Sequence, residues 1–144
     1  MVKLPKGRKA LQIGWVYKIK NEGDEKKERY KERLVVKGFS QKKGIDFTEI
    51  FSPVVKISSI RVILGLISAL DLECEQLDVN IAFLHGELKE EIYMEQLKGF
   101  IEKGKEYLIC RLKKSLYGLK HAPRQWYNKF DSFMLEHDFH RLEA

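Results

Sequence analysis

Hydrophobic and polar residues alternate with a period of two in two stretches near the start of the chain, residues 12–20 and residues 30–37. Such alternation is typical of half-buried strands. The intervening residues 21–29 are polar and include the turn formers Asn21 and Gly23. A β-hairpin is therefore predicted, with one apolar face formed in its first strand by Ile13, Trp15, Tyr17 and Ile19.

Further along the chain the pattern alternates between helix and strand. Either Ser58 or Ser59 can cap a helix, whose apolar residues recur at helical spacing: Ile60, Ile63, Leu64, Ile67 and Leu70. Residues 74–84 are predicted to form a strand that runs into a turn, and residues 92–94 and 107–112 two shorter strands. Pro123 suits the first turn of a final helix, with an inner stripe of Trp126, Tyr127, Phe130, Phe133, Met134 and His137. The order of elements predicts an α+β fold.

Length and composition are those of one domain, or part of one: 144 residues, 44% of them hydrophobic. The charge is uneven, because residues 1–43 contain 14 lysines and arginines against 5 carboxylates, whereas the rest contains 13 against 16. A basic segment suggests a polyanionic partner, either a nucleic acid or nucleotide phosphates. The alternative is a solvated basic surface without a partner, and charge alone does not separate the two.

Sequence features bearing on location favour the cytoplasm or the nucleus. No apolar segment of a signal peptide follows the basic N-terminus, and the longest apolar stretch, residues 60–70, is too short to span a bilayer. Cys74 and Cys110 are isolated, so neither a zinc site nor a disulfide framework is indicated. We therefore expect no membrane partner.

One carboxylate stands out for candidate chemistry. Asp78 lies between Leu77 and Val79 in an otherwise apolar stretch. Burial of a lone carboxylate is costly, so Asp78 is expected to meet a cation, a metal ion or several backbone donors. A single carboxylate specifies no chemistry, because Mg²⁺ in phosphoryl transfer requires several carboxylates together with the substrate phosphates.

Four blocks of sequence carry a resemblance to a known family. They are YKERLVVKGFSQ (residues 30–41), FTEIFSPVV (47–55), QLDVNIAFLHGEL (76–88) and SLYGLKHAPRQWY (115–127). In order and spacing they resemble the reverse transcriptase of copia-type LTR retrotransposons, from about Trp15 to Phe139. The resemblance implies an RNA-directed DNA polymerase, a nucleotidyltransferase within a Pol polyprotein. Its partners would be an RNA or DNA template-primer, dNTPs and the remainder of that polyprotein.

The resemblance also implies an architecture. Residues 1–144 would be a single, incomplete reverse transcriptase domain containing the fingers and the first half of the palm of a right-hand polymerase. Residues 12–56 would form the fingers hairpin and its connection. Residues 57–144 would form the palm portion, with the first carboxylate motif and the helix beside the nucleotide pocket.

Individual residues take roles from the same resemblance. Asp78 would be catalytic and bind two Mg²⁺ ions, with the backbone carbonyl of Val79 completing one coordination shell. Phe83 would lie under the incoming deoxyribose and exclude a 2′-OH by its bulk. The other implied nucleotide-binding residues are Arg33, Tyr117, Gly118 and one of the loop lysines Lys26 and Lys27. The implied template or primer contacts are Lys31, Lys37, Lys120 and Arg124.

The sequence departs from the family pattern at several positions. A Cys-plus-basic pair is missing between Gly14 and Trp15, Leu97 replaces a usual proline and His121 a usual glutamine. The Tyr-x-Asp-Asp motif, which supplies two further catalytic aspartates in the family, does not occur in residues 1–144. The isolated chain is therefore expected to be inactive. Two functions are left open: a polymerase segment within a longer polyprotein, or a non-catalytic remnant that is a weak nucleic-acid-binding module or a decayed product.

Overall fold

A long antiparallel hairpin forms the N-terminal part of the fold. The computed structural model describes residues 1–22 and 27–141, with residues 21, 22 and 27 described by their backbone alone. Strands β1 (Ile13–Glu22) and β2 (Lys27–Val36) pair from Ile13 opposite Val36 to Glu22 opposite Lys27. The predicted hairpin is confirmed, but both strands continue into the polar stretch expected to be a loop. Backbone hydrogen bonding needs no apolar side chains, so the pairing extends beyond the alternating pattern.

The two faces of the hairpin differ in chemistry. Trp15 lies opposite Leu34 and Ile19 opposite Tyr30, which gives one face an apolar and aromatic character. The other face is basic, because its cross-strand neighbours include Lys18, Lys20, Arg29, Lys31 and Arg33. Because side chains alternate between the two faces of a strand, the apolar and aromatic residues are separated from the basic ones.

The core lies where the base of the hairpin meets a small second sheet and a helix. A 3₁₀ turn (Gly38–Ser40) follows β2, and strands β3 (Tyr93–Met94) and β4 (Cys110–Arg111) pair antiparallel. Helix α2 (Ala122–Glu136) carries Pro123 in its first turn, as predicted. The buried cluster is formed by Leu11, Val36, Ile92, Leu119 and Ala122. Backbone bonds from Leu11 to residues 93 and 95 join the hairpin to the second sheet.

Helix α1 (Ile57–Ala69) contributes nothing to this core, because none of its residues is buried. Its N-cap is Lys56, without a side-chain capping bond. The predicted cap at Ser58 or Ser59 was wrong: the extended backbone at Lys56 starts the helix earlier and leaves both serines inside its first turn. Apolar residues cover most of the circumference of α1 and leave a narrow polar side with Ser58, Arg61 and Ser68. So wide an apolar surface is typical of helices enclosed by protein.

The predicted strand over residues 74–84 was also wrong. Residues 71–81 are exposed and belong to no strand, and the chain then forms a 3₁₀ turn at Ala82–His85. A strand exists only when another strand satisfies its backbone groups. Among the residues that the structure describes, no strand pairs with this segment.

The fold as a whole mixes helices and strands, so the predicted α+β class is confirmed. Within residues 1–22 and 27–141, no helix combines the length and the hydropathy needed to cross a membrane.

Candidate nucleotide-binding site

Three of the residues predicted to bind nucleotide come together from separate segments. Arg33 projects from β2, and its guanidinium lies 5.7 Å from the centre of the Tyr117 ring. Phe83, in the 3₁₀ turn Ala82–His85, meets the same ring edge-on at 6.0 Å between centroids. All three side chains are partly exposed. The arrangement presents a cation and two aromatic surfaces side by side, a chemistry suited to a phosphorylated ring compound.

The loop that carries Tyr117 is held tightly against β2. The backbone N–H of Val36 donates to the carbonyl of Tyr117 at 2.7 Å. Gly118 follows with φ +89°, and a Cβ on it would lie 2.0 Å from the carbonyl oxygen of Val36. Only glycine fits this position, on both grounds. The sequence associated Gly118 with close approach to a nucleotide; in the structure the close approach is to the backbone of β2.

A second contact anchors the same loop and was missed by the sequence analysis. Gln41 is 5% exposed, and its Oε1 accepts the backbone N–H of Lys120 at 2.8 Å. Gly38 lies in the same turn, where a Cβ would lie 1.9 Å from the carbonyl oxygen of Gly118. Both residues fall in the quoted block of residues 30–41, but no spacing rule singles out a glutamine that binds a distant loop.

Asp78 lies outside this cluster of side chains. It is exposed, as are its neighbours Leu77, at 84%, and Val79, at 45%. The expectation of a carboxylate enclosed by apolar residues was therefore wrong, because the strand that would enclose it does not form. Asp78 is nevertheless close enough to Lys31 for its charge to act on that ammonium group.

The described residues do not build a complete metal site. Among residues 1–22 and 27–141, no three His, Cys, Asp or Glu side chains lie close enough together to hold a metal ion. One exposed carboxylate and one carbonyl do not satisfy the octahedral coordination that Mg²⁺ prefers. Asp78 and Val79 fit at most a part of the predicted site.

Lys31 and Arg33 give the site a strongly positive edge. The pKa of Lys31 lies below its ordinary value, mainly because of the Arg33 guanidinium, with smaller contributions from partial burial and from Lys20 and Arg29. Asp78 acts in the opposite direction. Such mutual repulsion is relieved when an anion binds. Lys37, by contrast, donates through Nζ to Oε1 of Gln12 at 3.2 Å, at the base of the hairpin.

The other two predicted template contacts are engaged within the protein. Lys120 donates through Nζ to the carbonyl of Gln41 at 3.3 Å and lies 5.3 Å from the centre of the Phe47 ring. Arg124 pairs with Glu49 at 2.7 Å and donates to the carbonyl of Phe51 at 2.8 Å. Both side chains hold the connection after β2 onto the start of α2, and a template role for them stays a prediction.

Neither of the two loop lysines predicted to bind nucleotide has a described side chain. Lys26 falls in the undescribed stretch, and Lys27 is described by its backbone alone, as the first residue of β2.

His121, noted in the sequence only as a departure from the family pattern, is fully buried. Its ring stacks near Phe47 at 6.4 Å, and its Nε2 lies 3.8 Å from Oε2 of Glu90, too far for a hydrogen bond. Burial lowers the pKa of His121, while Glu90 and Asp46 act in the opposite direction. The imidazole is therefore held in its neutral form beside a carboxylate.

Comparison with known proteins now gives the class. The whole chain, residues 1–144, matches the family model described as reverse transcriptase (RNA-dependent DNA polymerase), and the chain belongs to this family. It is 68% identical over 134 residues to the retrovirus-related Pol polyprotein from transposon TNT 1-94 of Nicotiana tabacum, which covers 93% of this chain and 10% of that polyprotein. The resemblance drawn from the four sequence blocks is confirmed.

More distant relatives are also polyproteins of transposons. The chain is 46% identical over 121 residues to the Pol polyprotein from transposon RE2 of Arabidopsis thaliana, covering 84% of this chain and 8% of that protein. It is 39% identical over 61 residues to the transposon Ty1-NL2 Gag-Pol polyprotein of Saccharomyces cerevisiae, covering 42% and 3%. The chain thus spans about a tenth or less of the length of these polyproteins. No solved structure matches it.

Proposed function

We propose that residues 1–144 form the nucleotide-facing part of an RNA-directed DNA polymerase within a Pol polyprotein. The observation that carries the proposal is the meeting of Arg33, Tyr117 and Phe83, which come from three separate segments of the chain. In this proposal residues 12–56 are the fingers with their connection, and residues 57–144 are the first half of the palm.

Each residue of the cluster has a role that its chemistry suits. The planar guanidinium of Arg33 binds phosphate oxygens of the incoming dNTP. Tyr117 lies beside the nucleotide, and the bulk of Phe83 disfavours a ribose 2′-OH. The primer 3′-OH then attacks the α-phosphate and pyrophosphate leaves, so that the polymerase acts mainly by positioning and by charge neutralisation.

Mg²⁺, when bound, would neutralise charge on the phosphates. Asp78 and the Val79 carbonyl are the ligands that we assign to this chain, and the remaining ligands must come from outside the described residues. Template or primer contacts are proposed for Lys31, Lys37, Lys120 and Arg124, which neutralise backbone phosphates without reading sequence.

Nucleotide binding can be tested on the 144-residue chain by titration with dATP, followed by NMR spectroscopy. We expect shifts at Arg33 and Tyr117, and a weakening of at least about fivefold for Arg33→Gln, because it removes a charge-assisted bond to phosphate. Lys113→Gln is the matched control, a lost exposed charge outside the cluster. No shift with millimolar dATP, or equal weakening by both variants, would contradict the proposal.

The basic face of the hairpin supports a second candidate, a weak nucleic-acid-binding module without catalysis. Lys18, Lys20, Lys31 and Arg33 share this face, and no carboxylate lies on it between the pairs Val16–Arg33 and Lys20–Arg29. Binding of this kind tolerates any sequence and weakens steeply with salt, because phosphate contacts release counterions.

Fluorescence anisotropy with a labelled single-stranded oligonucleotide at several salt concentrations tests this candidate. We expect the double variant Lys18→Gln, Lys20→Gln to weaken binding and to lower the slope of affinity against salt. The control, Lys103→Gln with Lys105→Gln, removes the same charge far from the hairpin in sequence. Affinity that does not depend on salt would exclude this mode.

A further inference from the structure

We infer that Gln41 is a positioning residue for the candidate nucleotide site, and that its buried carboxamide orients the loop that presents Tyr117 to Arg33 and Phe83. The inference rests on the proposed function. Gln41 itself lies behind the loop and is not assigned a contact with nucleotide.

The Tyr117 loop is attached to its surroundings on both sides of Gly118. One backbone bond, from Val36 N–H to the Tyr117 carbonyl at 2.7 Å, ties the loop to β2. The start of the loop is held as well, because the Ser115 N–H donates to the carbonyl of Gly86 at 2.8 Å. Gln41 attaches the loop three residues beyond Tyr117, where its Oε1 accepts the Lys120 N–H at 2.8 Å. Two attachments on either side of Gly118 define the direction in which the Tyr117 side chain leaves the loop.

The place that Gln41 occupies requires a hydrogen-bond acceptor. The turn at Gly38–Ser40 brings the backbone so close to the loop that a Cβ on Gly38 would meet both the Gly118 carbonyl oxygen, at 1.9 Å, and Gln41 Oε1, at 3.1 Å. The bond from the Lys120 N–H to Gln41 is partly buried, and a donor removed from water without an acceptor is costly. The carbonyl of Gln41 also accepts Lys120 Nζ at 3.3 Å, so the two residues are joined twice.

A second glutamine separates positioning of the site from general packing. Gln96 offers a comparison, because it too is a glutamine that binds loop backbone: its Nε2 donates to the carbonyls of Lys105 and Leu108 at 2.7 and 2.8 Å, and its Oε1 accepts the Glu102 N–H at 3.0 Å. That loop does not carry Tyr117. Loss of the Gln96 bonds is therefore a matched structural change without the proposed consequence.

The test compares Gln41→Met, Gln41→Glu and Gln96→Met with the unmodified 144-residue chain. Amide hydrogen exchange at Lys120 reports the attachment, and dATP titration reports the site. In Gln41→Met we expect exchange at Lys120 to be about tenfold faster, since the acceptor is gone, and dATP binding to weaken at least threefold. Gln41→Glu keeps the acceptor oxygen and should restore both, at least in part. Gln96→Met should change neither.

The outcomes are distinguishable. Unchanged exchange at Lys120 in Gln41→Met overturns the attachment itself, and so does a change of equal size in Gln96→Met. Faster exchange with unchanged dATP affinity overturns the positioning role and leaves the proposed function intact. If the unmodified chain does not bind dATP, the proposed function fails together with the positioning role, and the exchange data then show a loop anchor alone.

Discussion

The loop that carries Tyr117, with the start of α2 (residues 115–122), and the segment of residues 54–81 are both rich in apolar residues, but only the first region buries them. Leu119 and Ala122, which follow Tyr117, are buried in the core. Val54, at 88% exposed, and Leu77, at 84%, lie in the open, as does every residue of α1 except the partly covered Ile67. One region has a surface to pack against, and the other does not.

The two halves of the proposed site, the nucleotide-facing cluster and the Asp78 segment, do not depend on the same contacts. The nucleotide-facing cluster assembles within the described residues, because β2, the 3₁₀ turn at residues 82–85 and the Tyr117 loop share one core. The Asp78 segment requires a neighbouring surface that the described residues do not provide. The exposed apolar residues of segment 54–81 form a large apolar surface. Such surfaces mark an interaction site or a tendency to aggregate.

The largest expected effect is on catalysis. We predict that the 144-residue polypeptide shows no nucleotide incorporation above background on a primed RNA template with Mg²⁺ and dNTPs, because Asp78 is a lone carboxylate and leaves most of the charge in the transition state uncompensated. Primer extension measures this. Incorporation that disappears in Asp78→Asn would break the comparison, because it would mean that the exposed half of the site is functional as it stands.

A truncation in each region sharpens the contrast in stability. Ile92 is fully buried and Leu64 is 53% exposed. We expect Ile92→Ala to lower the free energy of unfolding by about 2–5 kcal/mol, and Leu64→Ala to change it by less than about 0.5 kcal/mol. Chemical denaturation provides the values. Ile92→Val, at about 0.5–1.5 kcal/mol, keeps the test usable if the alanine variant unfolds. Equal losses at both positions would show that α1 is packed in solution.

The exposed apolar surface also bears on the stability and solubility of the whole chain. We expect the isolated polypeptide to be marginally stable and prone to aggregation, because domains are stable by only about 5–15 kcal/mol and α1 together with Phe130 and Phe133 leaves apolar surface exposed. A soluble monomer with one sharp, highly stable unfolding transition would contradict this expectation.

Two glycine substitutions test the packing of the Tyr117 loop against β2. Gly118→Ala should lower the free energy of unfolding by about 2 kcal/mol or more, since the position combines a left-handed φ with a steric clash against β2. Gly14→Ala is the control, with no atom within 4 Å of the added methyl group. It should be neutral or slightly stabilising. Thermal unfolding of both variants decides the matter, and a neutral Gly118→Ala would exclude the tight contact between loop and strand.

The smallest predicted effect is a dependence of stability on pH. Because burial lowers the pKa of His121, the proton binds more readily to the unfolded chain, where its pKa is ordinary. The contribution of neutral His121 is therefore complete above an unfolded pKa of about 6.5 and is lost as the pH falls towards the folded value. His121→Gln should flatten the profile between pH 7 and pH 5, whereas the exposed His140→Gln should not. Parallel profiles for both variants would argue against this origin.

The sequence predicted local structure well where neighbours in the chain determine it. The hairpin, the short strands and the α2 start at Pro123 follow from alternation and from backbone stereochemistry. The strand over residues 74–84 failed because a strand depends on a partner that periodicity does not reveal. The cap of α1 was missed by two or three residues because Lys56, without a capping side chain, takes the extended conformation.

For the candidate site, too, contacts between segments distant in the chain could not be predicted from local sequence patterns. Arg33, Tyr117 and Phe83 lie close together, which no spacing rule predicts for positions so distant in the chain. Their nucleotide-binding roles were implied by the family resemblance alone and stay a prediction. Gln41 and His121 escaped the sequence analysis because their importance lies in burial against other segments. The residues next to them in the sequence do not indicate this burial.

The length of the β1–β2 hairpin has a mechanical consequence. Each strand has ten residues, so the pair Glu22–Lys27 lies about 30 Å from the pair Ile13–Val36. A rotation of about 10° at the base would move the far pair by about 5 Å, while a contact about 5 Å from the pivot would shift by less than about 1 Å. A rigid rotation of this kind would displace Lys20 and Arg29 several times further than the bond between Val36 and Tyr117.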